Sequence, residues 1–216
     1  MGIVEGKILY WDNPIIQRDN ATIKLPHKLL VFVHRSDGSG TTYNFTYYLS
    51  KISKTWHDKY GAKKMINWPA KHEIGAQRNS GIANVINKTP YAIGYLDYSD
   101  AKHNKIKMAY LENKKHFFVA PTPKNFQTAA KEAMINARKC FYSVIVNPKG
   151  EQSYPIIAAT FILLPKEKKE INKDVVKFFK WSFVNAKQEA SDLGYIPIPK
   201  NLSDLVQLYL SYEGYL

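Results

Sequence analysis

Arg35, Asp37, Ser39, Gly40 and Thr41 crowd into the string HRSDGSGTT at residues 34–42, and that set of side chains can hold a tetrahedral oxyanion. Arg35 offers a planar fork of N–H donors that matches the edge of a phosphate or carboxylate. The hydroxyls of Ser39 and Thr41 can each donate another bond, and Gly38 and Gly40 carry no Cβ to keep an anion away from the backbone. Around them, Val31 to Val33 form an apolar run of strand type, Asp37 to Gly40 supply turn chemistry, and from Thr41 the aromatics and Leu49 recur at helical spacing. A helix that opens at the turn has first amides without an intrahelical acceptor, at the positive end of its dipole, so one anion can satisfy several of them. A second reading fits the same string: Ser39 or Asp37 merely caps a helix. The spacing excludes a Walker loop, which needs Gly-Lys-Ser/Thr after four spacer residues, and a GxGxxG dinucleotide turn. It also excludes a G-x-S-x-G nucleophile elbow, since Asp37 and not glycine stands two residues before Ser39.

The elements that must position this string alternate between strand and helix, which makes the fold class α/β. The pattern predicts a helix stub, a strand over 29–34, a helix from Thr41 to Ser53, a helix over 79–88, a strand over 92–97 and an amphipathic helix over 123–138. Beyond a crossover at Tyr154-Pro155, a strand is expected at Thr160–Leu164, a loop at Lys166–Glu170, and helices at Lys173–Asp192 and Asn201–Tyr212. Val175, Phe178, Phe179, Val184 and Ala186 read as core positions of the first of these helices.

Composition narrows the partners. With 45% hydrophobic and 13% aromatic residues over 216 positions, the chain can bury a core and is not of the disordered class. The formal charge of +13, from 31 Lys+Arg against 18 Asp+Glu, is spread along the chain, and no zinc-finger spacing or RRM octamer accompanies it, so no nucleic-acid partner is assigned. A positive field does concentrate phosphate at an arginine-lined cleft. The single Cys140 leaves no internal disulfide framework and reads as a small core residue. The six histidines, at 27, 34, 57, 72, 103 and 116, form no i,i+4 pair and have no cysteine at metal spacing, so neither a metal nor a cofactor is assigned. An enzyme of phosphate esters would need a nucleophile or metal-binding carboxylates beside the turn, and neither stands out. No run is long enough to span a bilayer, and Met1–Glu5 lacks the features of a secretory signal.

An ordered series of further motifs carries a resemblance. Gly6-Lys7-Ile8 and Trp11-Asp12-Asn13-Pro14-Ile15 precede Leu25-Pro26 and the HRSDGSGTT string. Phe45, Tyr48-Leu49-Ser50, Trp56, Asn67-Trp68-Pro69, Asn79-x-Gly81-Ile82-Ala83 and Pro90-x-Ala92-Ile93-Gly94-Tyr95-Leu96-Asp97-Tyr98 follow it. Tyr154-Pro155-Ile156, Thr160–Leu163, Lys177-Phe178-Phe179-x-Trp181 and Leu193-Gly194-Tyr195-x-Pro197-x-Pro199 complete the series. Together they resemble the phosphate-binding proteins of bacterial high-affinity phosphate ABC transporters, the PstS family, over essentially the whole chain. Ala70–Arg78, AKHEIGAQR, departs from the family by replacing a glycine-rich loop.

The resemblance implies a periplasmic-binding-protein-like fold of type II, with residues 1–155 as the lobe carrying the RSDGSGTT turn and 156–216 as a C-terminal portion of the other lobe. It implies non-covalent binding of inorganic phosphate by Arg35, Ser39, Gly40 and Thr41, with Asp37 orienting the arginine and no catalysis. It also implies a location in the periplasm or at the cell surface and an ABC permease as partner. The sequence begins well inside the family's length, so the first lobe's binding loops, with the acid that rejects sulfate, have no counterpart here; a homodimer or a separate first-lobe fragment is the expected complement. Three to four charge-assisted contacts at about 1.5–3 kcal/mol each give on the order of 5–10 kcal/mol. Immobilising the ligand costs about 4 kcal/mol or more, so the expectation for the half-site is millimolar or weaker binding with little discrimination against sulfate. A non-binding interaction module and an enzyme of phosphate esters remain as alternatives.

Overall fold

The structure, a computed structural model, describes residues 1–132, 141 and 144–215. The chain divides into two compact units, Met1–Lys107 and Met108–Leu216.

The first unit is built on three parallel strands. β1 (Val31–Arg35) lies between β2 (Glu73–Ala76) and β3 (Ala92–Gly94), giving the order β2-β1-β3. Its continuous apolar V-F-V run explains its central place: the consecutive Phe32 and Val33 are both buried, and Val33 pairs with Ile74 on one side and Gly94 on the other. Gly94 is required there, because a Cβ at that position would lie 2.6 Å from the Val33 carbonyl oxygen. Helix α1 (Pro14–Asp19) precedes the sheet; Asn13 caps it by accepting from the Ile15 amide at 3.1 Å. β1 leads into α2 (Gly40–Ile52) and α3 (Lys54–Lys59), β2 into α4 (Arg78–Lys88), and β3 into α5 (Tyr98–His103). Val33, Ala76 and Ile82 form the sheet-to-helix core, with Val85, Ile86, Ala92 and Leu96 packed on it. A second cluster is aromatic: Trp68 packs against Phe32, Phe45, Trp56 and Tyr95 with ring centroids 4.9–6.0 Å apart.

In the second unit, β4 (Leu111–Glu112) and β5 (Phe118–Val119) form a short antiparallel pair, followed by α6 (Pro123–Glu132), α7 (Lys169–Asn185), α8 (Lys187–Asp192) and α9 (Lys200–Tyr212).

The observed elements correct several expectations. Glu73-Ile74-Gly75-Ala76, inside the segment read as a replaced loop, is a strand, and its parallel pairing with β1 completes one side of the sheet. The strand expected over 92–97 ends at Gly94, where the chain turns away from β1. Among the described residues Thr160–Leu164 joins no ladder, and Leu163 is 88% exposed. The single helix expected over Lys173–Asp192 begins at Lys169 and breaks at Ala186 into α7 and α8, so Lys169 and Glu170 are helical and not loop. Phe178 and Val184 are exposed, 59% and 64%, and Val175, Phe179 and Ala186 are half-buried; the buried apolar residue of α7 is Val176. Cys140 and positions 133–138 of the amphipathic helix lie outside the described residues.

Candidate anion-binding site

Three strand ends converge on one place. In a parallel sheet a crevice opens at the carboxyl ends of neighbouring strands whose connections leave in opposite directions. Here β1 delivers Arg35, Asp37 and Ser39–Thr41, β2 delivers Arg78 and Asn79 at the start of α4, and β3 delivers Tyr95 and Asp97 before α5.

Asp37 grips Arg35 with both oxygens: Nε donates to Oδ1 and Nη2 to Oδ2, each at 2.6 Å. The third guanidinium nitrogen, Nη1, donates to Asn79 Oδ1 at 3.0 Å. The guanidinium plane is thereby fixed. Its hydrogen bonds with Arg35 hold the Asp37 carboxyl down at about 2, and the Arg78 amide, donating to Oδ1 at 3.3 Å, acts in the same direction. That pairing in turn raises the guanidinium above its ordinary value. Arg78 itself takes a left-handed backbone, φ 60°, which brings its amide to the carboxylate. Under the strand, the Tyr95 hydroxyl accepts from the Arg35 amide at 3.2 Å and shares a proton with Thr42 Oγ1 at 2.7 Å, and burial pushes its phenol up.

Ser39 is the N-cap of α2: its Oγ accepts from the Thr42 amide at 3.1 Å and its own amide donates to the Lys64 carbonyl at 2.9 Å. The capping reading therefore holds for Ser39, while Asp37 serves the arginine. Among the described residues the amides of Gly40 and Thr41 have no acceptor. Neither Gly38 nor Gly40 has a positive φ, and a Cβ at either would meet no atom within 4 Å. Neither backbone strain nor packing calls for glycine there; both positions face open space. Thr41 Oγ1 donates to Asp97 Oδ1 at 3.1 Å, and Asn79 Nδ2 donates to Asp97 Oδ2 at 2.6 Å.

All five residues predicted from the string thus stand at one end of the sheet. The sequence reading did not assign roles to Arg78, Asn79, Tyr95 and Asp97. The signal was present: Asn79 opens the N-x-G-I-A motif, and Tyr95 and Asp97 belong to I-G-Y-L-D-Y. Among the described residues no group of three His, Cys, Asp or Glu side chains could hold a metal ion, and no helix is long and apolar enough to cross a membrane.

Residues 1–185 match the model of the PBP superfamily domain. The chain belongs to the PBP superfamily. Within it, the chain is similar to the phosphate-binding protein PstS of Pasteurella multocida, 41% identical over 204 residues that make up 94% of this chain and 59% of the relative. The phosphate-binding protein PstS of Methanocaldococcus jannaschii is 35% identical over 93% of this chain and 56% of its own length. The chain thus spans under two-thirds of the curated relatives it matches. Among solved structures, a high-affinity periplasmic phosphate-binding protein (PfluDING) bound with phosphate superposes with a TM-score of 0.63 at 16% identity, over 96% of this chain and 62% of that one. A human phosphate-binding apolipoprotein does so at 0.64 and 14%, over 96% of this chain and 64% of that one. At such identities these neighbours speak for the PBP fold alone.

Proposed function

We propose that this PBP-superfamily chain is a substrate-binding component of a phosphate ABC transporter and binds inorganic phosphate without covalent chemistry at the amino end of α2. The observation that carries the reading is the guanidinium locked by Asp37 beside two unpaired amides and two glycines that face open space. In this reading Arg35 and the Gly40 and Thr41 amides donate to phosphate oxygens, the Ser39 hydroxyl, which accepts in its cap bond, donates its one proton, and Asp37 orients the arginine. The names of the relatives, phosphate-binding proteins, support the choice of anion. By the same likeness, the protein would work in the periplasm or at the cell surface and hand its ligand to an ABC permease, with the rest of the anion shell coming from a second copy or a separate first-lobe chain. Residues 1–155 and 156–216 would then serve different lobes. No turnover of a phosphate monoester is expected.

Isothermal titration of the 216-residue chain with phosphate tests this. Saturable heat at about millimolar phosphate, removed by Arg35→Ala, is the expected result for a half-site. Binding that survives Arg35→Ala unchanged would overturn it.

A further inference from the structure

The short hairpin of β4 and β5 holds aromatic rings out in water on a turn that cannot fold them away. Residues 113–117 join the two strands, and Asn113 is buried in that connection. Asn113 Oδ1 accepts from the Lys115 amide at 2.9 Å and from the Phe117 amide at 3.1 Å. Its backbone amide donates to the Phe117 carbonyl at 2.9 Å, and its carbonyl accepts from the His116 amide at 3.0 Å. Nδ2 donates to the Gly150 and Glu151 carbonyls at 3.3 and 2.6 Å, which bolts the turn to another segment of the same unit. The register pairs Leu111 with the buried Val119, so Glu112 and Phe118 fall on the other face. There Phe118 is 52% exposed, Phe117 beside it 48%, and Tyr110, two residues before Glu112, 63%.

Charge says what these rings meet. Lys114 and Lys115 stand exposed in the same turn, and the one carboxylate of residues 108–118, Glu112, is engaged by His116 Nδ1 at 2.7 Å. A two-fold contact with a second copy would set lysine pair against lysine pair, between chains that each carry +13. An anionic lipid surface complements the hairpin instead. Its phosphates meet the ammonium groups, and its headgroup boundary takes in aromatic rings and the apolar stems of lysines.

We propose that residues 110–118 form an interfacial anchor, which lays Tyr110, Phe117 and Phe118 into the headgroup layer of an anionic bilayer while Lys114 and Lys115 hold its phosphates. Basic attraction and shallow apolar insertion are each weak, and together they give reversible binding that depends on lipid charge. The anchor is separate from anion capture at α2 and does not rest on it.

The test is co-sedimentation of the full chain with vesicles of phosphatidylcholine alone and of phosphatidylcholine with about one quarter phosphatidylglycerol, at low and high salt. Binding is expected only to the anionic vesicles and is weakened by salt. Lys114→Ser/Lys115→Ser should lower the partition about twentyfold, and Phe117→Ser/Phe118→Ser about tenfold at unchanged net charge. A Phe118→Trp variant, which keeps the hairpin intact, should show an added fluorescence that shifts to the blue with anionic vesicles and is quenched by brominated lipid. Lys166→Ser/Lys168→Ser removes equal charge from another exposed segment and should cost less than the hairpin pair. An equal fall in that control, or wild-type partition in the phenylalanine variant, would show attraction by general charge and overturn the proposal. Partition abolished by inorganic phosphate at constant ionic strength would place the contact at α2 and also overturn it. So would absence of vesicle binding, or a phenylalanine variant that changes the sedimenting mass of the lipid-free chain, which would make this face a contact between copies.

Discussion

Arg35 reaches the end of β1 already held on two edges, by Asp37 and by Asn79, so little side-chain entropy is lost when an anion meets its free hydrogens. The Asp37 carboxyl is held at about 2, below the ordinary carboxylate range, by its hydrogen bonds with that arginine. A depressed folded-state value means that the pair's contribution to stability is complete above the unfolded carboxyl's value near pH 4 and is lost as pH falls through about 2. Asp37→Asn is therefore expected to lower the melting temperature at pH 7, and the gap from wild type should close between about pH 4 and pH 2. A gap constant over that range would show that the pair contributes nothing by ionisation. Gly40 separates binding from stability. With open space around its missing Cβ and a place in the first turn of α2, Gly40→Ala should leave thermal stability unchanged or slightly raised, by up to about 0.5–1 kcal/mol, while weakening phosphate binding. Equal phosphate affinity in that variant would mean that the anion does not approach this backbone.

At the scale of elements, the close approach of β1 and β3 sets where the arginine ends up. A Cβ at Gly94 would press to 2.6 Å from the Val33 carbonyl oxygen and 3.1 Å from Ile86 Cδ1, so Gly94→Ala must push a strand or α4 outward. We expect a loss of about 1–3 kcal/mol in urea unfolding; an unchanged midpoint would show that the sheet yields at no cost. The β1-turn-α2 unit was legible because its signals are local: an apolar V-F-V run, then S-G-T at the helix start. β2 was not, because Glu73, Ile74 and Gly75 are exposed on an edge strand and only Ala76 is buried, so no alternation marks it. The break at Ala186 has neither glycine nor proline to announce it. Asn79 and Asp97 meet Arg35 and Thr41 across 44 and 56 residues of chain, a distance over which only the fold brings side chains together. Arg35, Asp37, Ser39, Gly40 and Thr41, by contrast, could be found as one string because a helix start draws its ligands from consecutive residues.

The whole molecule carries a charge of +13, which draws phosphate toward the strand ends and makes its capture weaker at high salt. It also leaves apolar surface uncovered. Ile171, Phe178, Trp181 and Val184 on α7, and Leu208 and Tyr212 on α9, are each more than half exposed. The chain is accordingly expected to self-associate or to dissolve poorly, and a monodisperse monomer in sedimentation would contradict that. The central claim concerns the place where phosphate sits. It is tested most directly by titrating the isotope-labelled chain with phosphate while following the backbone amides of Gly40 and Thr41. The account predicts saturable shifts concentrated at these two amides and abolished in Arg35→Ala. Shifts spread over surface lysines without saturation, or unchanged in that variant, would contradict it.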